Sequence, residues 1–107
     1  MALYMVQVAY TSEAWTAMIK NPQDRIAVVG KAVEKLGGKV EQGWMSFGDW
    51  DTMVIIQMPE NVSAAAFAIA IAAGGACKDV HTTPLLSLEE GLAAIKKAAG
   101  SGYQPPA

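Results

Sequence analysis

The stretch WMSFGDWDTMVIIQM, Trp44 to Met58, sets two hydrophobic runs on either side of Gly48-Asp49-Trp50-Asp51. If the two acids form a catalytic pair, the chain is an enzyme built around this loop. If they form a turn, the flanking runs are neighbouring antiparallel strands. The chemistry of the four residues favours the turn. Glycine supplies a positive φ at little steric cost, and aspartate hydrogen-bonds its own local backbone. Acid–base work by two carboxylates needs distinct environments, one of them a poor place for a charge, and a solvent-facing loop tip offers neither. Trp50 is the one residue a bare turn does not need. Packing on its own domain, contact with a neighbouring subunit and a lid over a pocket are all open to it.

Working outward, Lys39 to Phe47 and Thr52 to Met58 read as the two strands. Upstream, LYMVQVAY (Leu3 to Tyr10) is rich in Val and Tyr and reads as a strand. Thr11 or Ser12 can cap a short following helix, which Asn21-Pro22 interrupts. Asn21 then serves as cap and Pro22 as first turn of a second helix with Ile26, Val29, Val33 and Leu36 at helical spacing. Gly37-Gly38 ends it. Downstream, Pro59-Glu60-Asn61 stops the third strand and caps an alanine-rich helix from about Val62 to Ala73, read as buried, which Gly74-Gly75 terminates. CKDVHTTPLL follows as a fourth strand, with Pro84 tolerable only near an edge or strand end. The order strand, helix, strand, strand, helix, strand is the split pattern of the ferredoxin-like fold: α+β, a four-stranded antiparallel sheet with two main helices on one face. Residues 1–87 make up that domain. Ser87 with Glu90 forms a capping box for a C-terminal helix, and residues 88–107 hold this helix and a mobile tail rich in Gly, Ser and Pro.

Composition narrows the function. With 107 residues, 17% charged and 52% hydrophobic, the chain has more apolar surface to hide than one small core takes up, which points to a homodimer or higher oligomer. A net charge of -2 without a basic run gives no footprint for nucleic acid or an anionic membrane. The apolar stretch Ala64 to Ala76 is shorter than the roughly 20 residues a bilayer span needs. The start lacks a secretory pattern, so a cytoplasmic location is expected. Cys77 stands alone, which excludes an internal disulfide. No cofactor motif is present.

The leading strand with Tyr, the helix broken by Asn-Pro, KLGGKV, the aromatic strand into Gly-Asp-Trp-Asp, the Val/Ile strand, the alanine-rich helix with Phe67 and the closing VHTTPLLS together resemble the GYD domain family over roughly residues 3 to 88. Gly48, Trp50 and Asp51 occupy the positions that name the family, with Trp in place of Tyr. The resemblance implies a small ferredoxin-like domain of the kind that pairs into dimeric α/β barrels, in a family whose biochemical role is largely uncharacterised.

Strand alternation then gives a candidate site. Side chains two apart share a face. If the helices cover Val6, Val8, Val54 and Ile56, the opposite face collects Met5, Gln7, Met53 and Gln57, joined from the fourth strand by Asp79, His81 and Thr83. Pairing Phe47 with Thr52 adds Gln42, Trp44 and Ser46. This face is apolar and aromatic with a few convergent polar groups, which suits either a dimer interface or a cleft for a small organic ligand contacted by Met5, Gln7, Trp44, Met53, Gln57 and Trp50. His81, the only imidazole, is the candidate general base, with Asp79 to orient it. Cys77 falls on the same parity, but four strand residues span roughly 13 Å, so no Cys-His dyad forms with His81. Asp79 and His81 supply at most two ligands, so no metal site is expected. A small-molecule binding module is the leading reading. The alternatives are a cofactor-free isomerase or monooxygenase-like enzyme acting on an aromatic or unsaturated substrate, suggested by fold analogy alone, and a purely structural assembly module.

Overall fold

The computed structural model describes residues 1–106; the last residue of the expected tail, Ala107, lies outside them. The chain runs β1 (Ala2–Tyr10), α1 (Ser12–Lys20), α2 (Arg25–Lys35), β2 (Lys39–Met45), β3 (Thr52–Met58), α3 (Asn61–Ala73), β4 (Cys77–Leu85) and α4 (Leu88–Ala98). The sheet is antiparallel with strand order β2-β3-β1-β4, the ferredoxin-like arrangement.

Local chemistry sets most boundaries. The Thr11 hydroxyl caps α1 by accepting from the Ala14 amide at 3.1 Å. The expected cap of α2 is corrected: Asn21-Pro22 stays outside the helix, and Asp24 Oδ1 accepts from the Ile26 and Ala27 amides instead. A carboxylate that reaches two amides at the positive end of the helix outcompetes a neutral amide further back. Gly37 turns out of α2 at φ +89, and Gly38 has no room for a side chain, since a Cβ there would collide with the Gln57 carbonyl and the Met58 sulfur. Ser87 and Glu90 complete the expected capping box of α4.

The core lies between the even-numbered sheet face and the helices, with Val6, Val33, Ile56, Met58 and Phe67 its largest fully buried side chains. The alanine-rich helix is less buried than its composition predicts. Only Ala64 and Phe67 of α3 are buried, while Ile69 is 67% exposed. Helix α4 has no buried residue and leaves Leu88, Leu92 and Ile95 in solvent at helical spacing. The molecule measures 57 Å along its long axis, with a radius of gyration of 17.0 Å, against about 13 Å for a compact chain of this length. Among the described residues, no helix is long and apolar enough to cross a membrane.

Candidate functional site on the open sheet face

The odd-numbered face carries no helix, and the register fixes which side chains meet there. One row across the sheet is Trp44, Met53, Gln7 and His81; the next is Gln42, Ile55, Met5 and Thr83. The expected parity therefore holds for Met5, Gln7, Trp44, Met53 and His81. It does so although β2 pairs Met45, and not Phe47, with Thr52. The slip is two residues, which preserves the face, and it lengthens the loop to residues 46–51. Ser46 and Phe47 leave the strand, and Phe47 is 99% exposed.

Two irregularities change the rest. A bulge between Ala9 and Tyr10 skips Lys78, so Cys77 pairs with Tyr10 and packs against the core on the helix-covered face. The placement of Cys77 with His81 is thus corrected: one extra residue reverses parity. A second bulge skips Glu41. The Gln57 amide donates to the Glu41 carboxylate, in the row with Lys39 and Leu3, two rows from His81. Gln57 and His81 share a face but not a site. Asp79 sits opposite Ala9, exposed, one row from His81.

The loop itself is more than a turn. Gly48 takes φ +135. The Ser46 hydroxyl donates to the Trp50 carbonyl at 2.7 Å, and the Ser46 amide to the Asp51 carbonyl at 2.8 Å. Asp51 then pins the loop to the sheet. Its amide donates to the Val8 carbonyl, and its Oδ2 accepts from the Tyr10 amide, each at 2.8 Å. Where β3 has run out, the carboxylate takes over as acceptor for β1. Asp49 makes no such bond and is exposed. The two acids therefore sit in different settings, Asp51 bonded to β1 and Asp49 in solvent.

Anchored this way, Trp50 lies back across the open face, its ring centroid 5.8 Å from that of His81 and tilted by 47°. Gln7, Trp44, Met53 and Trp50 share a shallow cavity with Ser46 and Asp49. Trp50 is half-buried and Trp44 is 46% exposed. The structure brings together Gln7, Trp44, Met53, Trp50 and His81, leaves Met5 and Asp79 one row away, and places Gln57 elsewhere. Among the described residues, no three His, Cys, Asp or Glu side chains cluster.

Sequence reasoning missed a cavity on the other face, between α2, α3 and the sheet, lined in part by Arg25, Tyr10, Thr52 and Cys77. The available signal was the run of alanines in α3, too small to fill the space beside a sheet of Val and Ile.

The solved structures similar to this chain include TTHA0845 from Thermus thermophilus, with a TM-score of 0.54 at 12% identity over 81% of this chain and 95% of that one. The hypothetical protein PHS023 from Pyrococcus horikoshii gives 0.53 at 12% identity, over 81% and 92%. MtbAldR gives 0.54 at 15% identity, over 80% of this chain and 52% of that one. At such identities these likenesses show the ferredoxin-like fold alone. No protein of curated function matches the chain in sequence. The family model for the GYD domain matches residues 4–95, which take in the strands, the anchored Gly-Asp-Trp-Asp loop and most of α4, and the chain accordingly belongs to the GYD domain family.

Proposed function

We propose that this protein binds a small, planar organic molecule on its open sheet face, in a cleft walled by Trp44, Met53 and Trp50 and edged by Gln7 and His81, with a second copy of the chain closing the face. The observation that carries this reading is the placement of Trp50. A turn does not need an indole, yet the loop is bonded at Asp51 and Ser46 so that the ring lies over the sheet beside the only imidazole. Apolar walls with a few polar groups at the edge are what small-ligand sites use.

A second copy is supported by what stays uncovered. Trp44 and Leu3 are exposed on this face, Met5, Met53, Ile55 and Leu85 are half-buried, and α4 holds out Leu88, Leu92 and Ile95 without a partner. An apolar sheet face and an unpartnered apolar helix stripe are surfaces that a two-fold pairing of this chain would bury.

Calorimetric titration with 2-naphthol, a planar probe with one hydroxyl, tests the reading. Saturable binding that weakens about tenfold in Trp50→Ala and persists in Ser12→Ala supports it. Binding of 2-naphthol with unchanged affinity in both Trp50→Ala and Trp44→Ala, or none at all, overturns it.

A further inference from the structure

The opposite side of the sheet carries a second cavity of about 210 Å³. This is smaller than the roughly 300–1,000 Å³ of drug-sized sites, so it suits a small guest. Val6, Val8 and Val54 form its floor and Phe67 a wall. Its polar residues gather at the end where β1 finishes and β3 begins: Tyr10 pairs with Cys77, Thr52 with Val8, and Arg25 opens α2 beside them.

Arg25 is the anomaly. It is half-buried, and its Nη1 donates to Gln23 Oε1 at 2.8 Å, yet among the described residues the only ion pair is Lys39–Glu41. Each nearby carboxylate gives one oxygen to backbone amides and forms no ion pair with Arg25: Asp24 Oδ1 accepts from Ile26 and Ala27, Asp51 Oδ2 from Tyr10. A guanidinium at the mouth of an apolar cavity that makes no ion pair keeps donors for an incoming carboxylate, whose two oxygens match its fork. The Tyr10 and Thr52 hydroxyls are 3.0 Å apart and share one hydrogen bond. Two protons and one bond leave one O–H to donate to a guest. Burial pushes the Cys77 thiol up, so it adds no negative charge here; the Arg25 guanidinium pulls the other way and the Asp51 carboxylate adds to the rise.

We infer that the cleft between α2, α3 and the covered sheet face binds a small organic acid, its carboxylate on Arg25 and the Tyr10–Thr52 hydroxyl pair, its apolar body against Val6, Val54 and Phe67. This site lies across the sheet from the Trp50 cleft and does not depend on it.

The test compares benzoate and hexanoate with benzamide and hexanamide by calorimetry on the full chain. The acids are expected to bind at least about tenfold more tightly than the amides. Arg25→Gln should remove that preference and Arg25→Lys restore part of it, while Trp50→Ala leaves it intact. Bound benzoate should also slow alkylation of Cys77. Equal affinity for acid and amide, an unchanged preference in Arg25→Gln, or no saturable binding at millimolar acid would each overturn the inference. Loss of acid binding in Trp50→Ala with Arg25→Gln unaffected would move the site to the open face.

Discussion

Removing the Asp51 carboxylate should separate its structural task from that of Asp49. The Tyr10 amide belongs to a residue only 6% exposed, and its acceptor is Asp51 Oδ2 at 2.8 Å. Asp51→Ala leaves that amide without a partner where water enters poorly. A lost bond to a charged acceptor costs about 1.5–3 kcal/mol, and an unsatisfied buried donor costs a similar amount. Both descriptions cover the same event, so the expected loss is about 2–3 kcal/mol and not their sum. With each kcal/mol shifting the melting point of a domain near this size by roughly 4–8 °C, Asp51→Ala should melt roughly 8–24 °C lower. Asp51→Asn keeps an oxygen in place and loses only the charge, at about 1 kcal/mol. Asp49→Asn, exposed and unbonded, should stay within about 0.5 kcal/mol of the parent. Thermal melts followed by circular dichroism, with chemical denaturation for the free energies, read all three. Asp51→Ala as stable as Asp49→Asn would refute the anchoring argument, and so would Asp51→Asn as damaging as Asp51→Ala.

Three further outcomes follow from packing and burial. Gly38→Ala should cost about 1–3 kcal/mol in denaturant unfolding, because its methyl meets the Gln57 carbonyl and the Met58 sulfur with no open space to relax into; a neutral result would mean that the α2–β2 connection moves freely. Because burial holds the Cys77 thiol above its ordinary ionisation range near 9.0, iodoacetamide should modify it more slowly at pH 8 than it modifies a free thiol. The linked stability is full below that range and falls as pH rises through the folded value, since the unfolded thiol ionises first. Light scattering should show at least a dimer at micromolar concentration, and Leu92→Glu with Ile95→Glu should shift it towards monomer, whereas a monomeric parent protein would contradict the proposed use of the open face.

How much of this was legible in the sequence depends on how local the cause is. The strand parities, the Thr11 and Ser87 caps and the strand–helix order follow from neighbouring residues, and they yield the ferredoxin-like sheet and the grouping of Gln7, Met53 and His81 on one face. The turn register was two residues off, yet an even slip keeps every side chain on its face. Odd slips do not. The bulges at Lys78 and Glu41 each insert one residue, sending Cys77 to the core side and bonding Glu41 to Gln57, and nothing in the residues themselves marks either position. Trp50 over His81 and the Arg25 cleft are tertiary results. The first needs the Asp51 bond across to β1, and the second needs the small side chains of α3 to lie beside Val6 and Val54.

His81 offers the most direct reading of the proposed cleft, because it is the only imidazole in the chain and its ring centroid lies 5.8 Å from the Trp50 indole. Its ring-proton resonances, followed by NMR while 2-naphthol is added, should move saturably, and Trp50→Ala should both displace their starting position and weaken the titration. A parent protein that binds 2-naphthol while the His81 resonances stay fixed would place the ligand elsewhere and contradict the account.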